Sequence, residues 1–169
     1  MILAIECAAA CVIFGAGIIA SVLIRKEAWL QDYAPEVQQR FLEANPEYKR
    51  RNKAQRTVVL VIGKILVSLL FAAILSAMVY IAGARDFLTG ALYSYIIWAV
   101  VNVFDVIVLD MLVFPYWKRI RLPGTEDMDK EYAGNWRKHI LDGLYGMLIG
   151  VPVACLCGLA VYLLNTLIN

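Results

Sequence analysis

The residues best suited to chemistry are two aspartates inside an apolar run and a histidine and aspartate at the start of the next run. Asp105 and Asp110 lie within residues 87–114, where a bilayer-spanning helix tolerates almost no charge. His139 and Asp142 are three residues apart and therefore share one side of a helix. Carboxylate and imidazole groups of this kind can hold a divalent metal or run acid-base chemistry on a lipid headgroup.

No established catalytic motif accompanies these residues. The chain has no H-E-x-x-H, no Walker loop, no G-x-S-x-G and no cysteines and histidines at zinc-ligand spacing. It also lacks the longer glycine and aspartate run of a CDP-alcohol phosphotransferase. We therefore predict no cofactor, and we expect interfacial capping and salt bridging from Asp110, His139 and Asp142. A catalytic or metal-binding cluster of the same three residues is the alternative.

Further polar residues predict a charge network inside the membrane. Asn102 and Asp105 share one helix face with two aromatic residues, and that face is too polar for lipid. Asp110 is five residues beyond Asp105, about 140° round an α-helix, so it need not enter the same contact. Lys64 lies at a similar depth on the preceding run and should pair with Asp105 or Asp110; the alternative is that it reaches the interface alone. The expected network comprises Lys64, Asn102, Asp105 and Asp110.

The elements that would position these residues are membrane helices. Of 169 residues, 62% are hydrophobic and only 18% are charged. Four apolar runs reach the roughly 20 residues that a helix needs to cross a bilayer. We predict an all-α fold, an integral membrane four-helix bundle in one transmembrane domain. The predicted spans are residues 2–24, 57–82, 87–114 and 140–168.

The basic residues set the predicted orientation. Eight lysines and arginines lie in residues 25–56 and six in residues 115–139, whereas the turn at residues 83–86 has only Arg85. The positive-inside rule places both long connections in the cytoplasm and both termini outside, in what we expect to be a bacterial plasma membrane. The first run has no basic segment before it, so it should stay attached rather than be removed as a signal peptide. The basic residues form no continuous stripe, which argues against nucleic-acid binding.

Both connections predict short cytoplasmic helices at the membrane surface. Pro35 suits a helix start, and Phe41 falls on an apolar face that could sit among lipid headgroups. In the second connection, the turn at residues 122–126 contains Thr125, which should cap a helix through residues 127–130. Membrane lipids are the expected partners of these segments.

A ridge of small residues at four-residue spacing predicts tight packing of the last helix. Cys7, Cys11 and Gly15 offer a matching groove on the first helix, so we expect those two helices to pair, with homodimerisation as the alternative. Glu6, near the outer end of the first helix, should reach external water. The ridge comprises Gly146, Gly150, Ala154 and Gly158.

One region resembles a known group of proteins. It contains Asp105-x4-Asp110, Pro115, the Leu-Pro-Gly-Thr-Glu turn at residues 122–126, Tyr132 and His139. This pattern resembles small bacterial multi-pass membrane proteins of unassigned function. The resemblance implies an integral membrane protein and brings no activity with it.

Three functions remain open at the level of sequence. The first is a non-enzymatic bundle that engages lipid, a membrane partner or a second copy of itself through its cytoplasmic loops. The second is a small transporter or ion-handling subunit that uses Asp105 and Lys64, because intramembrane charges often mark ion paths. The third is a membrane enzyme that acts on a lipid headgroup through Asp110, His139 and Asp142.

Overall fold

The computed structural model describes residues 2–49, 53–134 and 136–168, without the side chains of residues 49, 53–61, 63–65, 67 and 68. Within these residues the fold is all-helical and contains no strand, as predicted. Seven α-helices are joined by shorter 3₁₀ and π segments. The α-helices are α1 (Ile2–Ile24), α2 (Pro35–Ala44), α3 (Pro46–Lys49), α4 (Lys53–Ile81), α5 (Phe87–Phe104), α6 (Asp129–Ala133) and α7 (Trp136–Ile168). The 3₁₀ segments are Lys26–Asp32 and Lys118–Ile120, and a π-helix, Asp105–Val113, continues α5.

Among the described residues, three helices are long and apolar enough to cross a membrane: Ile2–Ile24, Phe87–Val113 and the segment Asp129–Ile168. Their outward surfaces carry exposed leucine, isoleucine and valine side chains, as a surface facing lipid should. The second predicted span, residues 57–82, falls on α4. Of that span, Leu69–Ile81 is an apolar helix within the described residues.

Helix α5 is central in the fold, because α1, α4 and α7 all pack against it. The most extensive of these interfaces is with α7, which also packs against α4. The buried core between the helices includes Leu75, Ile97 and Val161. The short turn after α4 ends with Asp86, whose side chain caps α5 by accepting a hydrogen bond from the backbone N–H of Thr89 at 3.0 Å.

The small-residue ridge of α7 lies against α5, so the prediction that it packs on the first helix is wrong. A Cβ at Gly158 would lie 2.5 Å from the carbonyl oxygen of Phe87 and 2.9 Å from the Cβ of Ala91. Gly150 and Ala154 are buried, and Gly150 faces the indole ring of Trp98. The indole ring of Trp98 thus fills the space at Gly150, and the backbone of α5 lies directly against Gly158.

Trp98 also explains why the ridge selects α5 over α1. Its indole Nε1 donates a hydrogen bond to the carbonyl oxygen of Gly146 at 2.9 Å, a contact that needs a glycine-lined surface at that height. The expected groove on α1 serves a different purpose, since a Cβ at Gly15 would lie 3.1 Å from the ring of Phe104. Each small-residue surface therefore receives an aromatic ring of α5.

The two long connections pack on each other and form what we call the loop layer, residues 26–48 and 115–134. Val37 and Phe41, one turn apart on α2, are fully buried in a small core with Leu122 and Tyr132. The apolar face of α2 therefore covers the second connection, and the expectation that Phe41 lies among lipid headgroups is wrong. Arg40 and Asp127 join the two connections at the surface through a 3.0 Å salt bridge.

The turn at residues 122–126 folds around Tyr132 instead of starting a helix. The hydroxyl of Tyr132 accepts a hydrogen bond from the backbone N–H of Leu122 at 3.0 Å and lies 2.9 Å from the hydroxyl of Thr125. Thr125 is fully buried, and helix α6 begins only at Asp129, so the prediction that Thr125 caps a helix through residues 127–130 is wrong. Gly124 adopts φ +82°, which a residue with a side chain would rarely take.

Arg121 is buried beneath this turn and ties its ends together. The guanidinium donates to the carbonyl oxygens of Glu126 at 2.6 Å and Pro115 at 3.4 Å, and it forms an ion pair with Asp129. Its charged carbon lies 5.0 Å from the centre of the Tyr132 ring, in range of a cation–π contact. These contacts hold the second connection against the ends of α1 and of the π-helix.

Candidate functional site

A cavity of about 210 Å³ lies where the ends of α1 and of the π-helix meet the loop layer. Five carboxyl groups line this acidic cavity, against two basic groups, Lys138 and His139. Four aromatic residues complete the polar wall, and Ile18 and Val22 of α1 close the side toward the bundle. The carboxyl groups belong to Asp32, Asp105, Asp110, Glu131 and Asp142. The aromatic residues are Trp29, Tyr33, Phe114 and Tyr132.

The π-helix brings Asp105 and Asp110 to the same cavity. In an α-helix, side chains five residues apart lie about 140° apart, so α-helical geometry by itself does not bring the two aspartates to one contact. A π-helix bonds residue i to residue i+5, as the N–H of Phe114 does to the carbonyl oxygen of Leu109 at 2.8 Å, so such side chains lie on nearly the same side. The two aspartates therefore share one cavity, which α-helical geometry would not have required.

Asp110 and His139 are in direct contact. The Nδ1 atom of His139 lies 3.0 Å from Oδ2 of Asp110, and the side chains are only 17% and 21% exposed. With its proton on Nδ1, the ring donates to the carboxylate in either charge state, which holds the imidazole in one orientation. Nε2 is then the ring nitrogen that can accept or release a proton at a ligand.

Asp142 lines the same cavity, but its salt bridge is with Lys138. The two side chains pair one turn apart on α7, at 3.4 Å between Nζ and Oδ2. Lys138 also donates to the backbone carbonyl of Asp32 at 3.3 Å, which links α7 to the first connection. The predicted cluster of Asp110, His139 and Asp142 thus shares one cavity, with direct contact between its first two members.

The predicted intramembrane network is divided by the structure. Asp105 and Asp110 line the acidic cavity, whereas Asn102 faces α7 and lies against Gly143 and Gly146. The side chain of Lys64 lies outside the described residues, so its pairing with Asp105 or Asp110 stays a prediction. Among the described histidine, cysteine, aspartate and glutamate side chains, no group of three is placed to hold a metal ion.

Sequence reasoning missed the contribution of the first connection. Tyr33 donates a hydrogen bond to the carbonyl oxygen of Ile120 at 3.3 Å, and its ring stands edge-on to Tyr132 with 5.6 Å between ring centres. Burial raises the pKa of the Tyr33 phenol, and the neighbouring Tyr132 raises it further, so the hydroxyl stays protonated at neutral pH. The close spacing of Trp29, Asp32 and Tyr33 was the only available signal, and it fits a plain membrane anchor equally well.

Searches of protein-family models, of curated proteins and of solved structures find no match to this chain. The chemistry of the acidic cavity is therefore the evidence for function. Its carboxyl groups attract positive charge, its aromatic rings can bind a cation through their faces, and the pair of Asp110 and His139 can exchange a proton. These properties suit a positively charged ligand of small size.

Proposed function

We propose that this chain is a multi-pass protein of a bacterial plasma membrane, a four-helix bundle made of α1, α4, α5 with its π continuation, and α7. The packing of α4 against both α5 and α7 supports a fourth span beside the three apolar helices. The distribution of lysine and arginine supports an arrangement with the loop layer in the cytoplasm and both termini outside.

Cysteine labelling tests this orientation. Single cysteines replace Gln39, which is exposed on α2, and Asn169, in a background without the four native cysteines. An impermeant maleimide should label the cysteine at position 169 in intact cells and the cysteine at position 39 only after permeabilisation. Labelling of position 39 in intact cells would overturn the proposed orientation.

We further propose that the acidic cavity binds an organic ammonium group, which makes the protein an ion-handling or lipid-engaging membrane protein. The observation that carries this proposal is the convergence of five carboxyl groups and four aromatic rings on one cavity. An ammonium group suits both kinds of lining residue, because carboxylates neutralise its charge and aromatic faces bind it without demanding a fixed ligand geometry. The group is either the headgroup of a phospholipid or a free amine.

Choline and its neutral isostere 3,3-dimethylbutanol provide a matched pair of probes. Choline should raise the thermal unfolding temperature of the purified protein and change the fluorescence of Trp29, whereas the isostere should do neither. Asp105→Asn and Asp110→Asn should each weaken choline binding by about tenfold, roughly 1.4 kcal/mol. Glu43→Gln, which alters an exposed carboxyl on α2 outside the cavity, should leave binding unchanged.

Equal responses to choline and to the isostere would show that charge is not recognised and would overturn the proposal. A comparison of two kinds of vesicle distinguishes a lipid headgroup from a free amine as the source of the ammonium group. One kind contains phosphatidylglycerol alone, and the other also contains phosphatidylethanolamine. Competition between this lipid and free choline indicates a headgroup ligand, and its absence indicates a soluble amine. If no ammonium compound binds, the first of the three functions, a bundle that engages a membrane partner or a second copy, gains support.

A membrane enzyme is the second candidate function, and the contact between Asp110 and His139 favours it. An imidazole oriented by a carboxylate can act as a general base toward water or a headgroup hydroxyl. Mass spectrometry of vesicle lipids after incubation should then show loss of a headgroup with the wild-type protein. His139→Gln should abolish that loss while retaining choline binding, because the carboxyl groups remain; unchanged lipids with the wild-type protein would exclude this candidate.

A further inference from the structure

Glu6 is a buried carboxyl group at the end of the bundle opposite the acidic cavity. It is only 9% exposed, so the expectation that it reaches external water is wrong: the side chain turns inward from α1. Its Oε2 atom has no hydrogen-bond partner among the described residues. A carboxylate in that state is costly within a membrane helix, and such residues usually have a functional role.

A second buried polar group without a partner lies at a similar height. Ser94 on α5 is fully buried, and its Oγ atom has no hydrogen-bond partner within the described part of the chain. Helices α1 and α5 both end at the acidic cavity and therefore run parallel, and Gly15 lies beside Phe104. Glu6 is nine residues before Gly15 on α1, and Tyr95 is nine residues before Phe104 on α5. Because both helices rise by about 1.5 Å per residue, Glu6 lies level with Tyr95, the neighbour of Ser94.

Among the residues that the structure describes, the other ionisable groups at this end do not supply a charged partner. They are Cys7 and Cys11 on α1, Tyr80 at the end of α4, Tyr93 and Tyr95 on α5, Cys155, Cys157 and Tyr162 on α7, and Arg85 and Asp86 in the turn between α4 and α5. Arg85 donates to the carbonyl oxygens of Tyr80 and Ala84 and lies over the Tyr80 ring. Asp86 is occupied in capping α5.

We propose that Glu6 is a proton-binding site, separate from the acidic cavity, in which the neutral carboxylic acid is enclosed by α1 and its neighbours. A metal cation fits less well, because hard cations require about six oxygen ligands and the described histidine, cysteine, aspartate and glutamate side chains form no group of three that could hold a metal ion. A proton requires one carboxyl oxygen, and protonation removes the charge that burial disfavours.

Carbodiimide labelling tests the site on the wild-type chain. Dicyclohexylcarbodiimide is lipid-soluble and adds to protonated carboxyl groups in apolar surroundings, leaving a stable N-acylurea that peptide mass spectrometry locates. With the full chain in phosphatidylcholine vesicles at neutral pH, Glu6 should be labelled and the exposed Glu36 and Glu43 should not. Above the pKa of Glu6, labelling should fall by about tenfold for each pH unit, since the protonated fraction falls by that factor.

Two outcomes would overturn the proposal. One is a Glu6 that stays unlabelled at neutral pH, which would mean that it is ionised and paired. The other is equal labelling by a water-soluble carbodiimide, which would mean that the carboxyl is open to water.

Infrared spectroscopy gives an independent measurement. The carbonyl band of a protonated carboxylic acid should be present in the wild-type protein and lost in Glu6→Gln. Asp86→Asn, a change to an exposed carboxyl at the same end, should retain both the band and the labelling. Persistence of the full band in a folded Glu6→Gln protein would also contradict the proposal. If Glu6→Gln does not fold, the labelling profile of the wild-type chain still decides the question.

Discussion

Replacing Gly150 with leucine should destroy the folded bundle or severely lower its stability in detergent. A Cβ at this position would already collide with the indole ring of Trp98, and leucine adds three further carbon atoms. Overpacking a well-packed core costs about 1 to 3 kcal/mol and sometimes more. Here the loss should reach the upper end of that range, because the two backbones must separate and the hydrogen bond from Trp98 to Gly146 must break. Thermal unfolding followed by tryptophan fluorescence, with gel filtration, measures the effect.

The matched control is Gly17→Leu on α1. A Cβ at Gly17 would meet no atom within 4 Å, so the same substitution should leave the unfolding temperature almost unchanged. Trp98→Ala should partly rescue Gly150→Leu, because it removes the ring that the leucine strikes. Equal stability of Gly150→Leu and Gly17→Leu would show that α7 does not pack on α5 through its ridge.

Neutralising either Lys64 or Asp105 alone should harm the protein more than neutralising both. If the two side chains pair across α4 and α5, the loss of one strands the other in a medium of low polarity, at a cost of about 3 to 5 kcal/mol. Lys64→Met and Asp105→Asn should therefore each lower folded yield and thermal stability, and the double variant should recover part of the loss. Simple addition of the two losses would establish that the charges are independent.

His139 in the acidic cavity competes with Lys64 as the partner of Asp105. A second double-variant cycle distinguishes the two partners. Asp105 and His139 line the same cavity, so Asp105→Asn can be combined with His139→Gln in the same assay. Coupling with Lys64 but not with His139 would locate the partner of Asp105 on α4. Coupling with His139 alone would locate the partner of Asp105 in the acidic cavity. Lys64 would then reach the membrane interface without a partner in the cavity.

The membrane character of the chain and the positions of its long apolar helices follow from local sequence patterns. The predicted span 2–24 coincides with α1, and the predicted start at residue 87 coincides with the start of α5. Helix α7 begins at Trp136, four residues before the predicted span, because its first turn is polar and hydropathy cannot register it. These features are local, since a run of apolar residues has to leave water whatever its neighbours are.

The tertiary structure alone decided which faces meet and how the site is assembled. The ridge at Gly150 fits either of two helices by spacing, and only the shape of Trp98 selects α5. Asp105 and Asp110 converge because the end of that helix is a π-helix, a geometry that α-helical periodicity cannot anticipate. Tertiary packing also buries Glu6, on the inner side of α1, and Phe41, beneath the second connection. Each outcome depends on complementary surfaces from residues far apart in the chain, whereas hydropathy and spacing report only on neighbours.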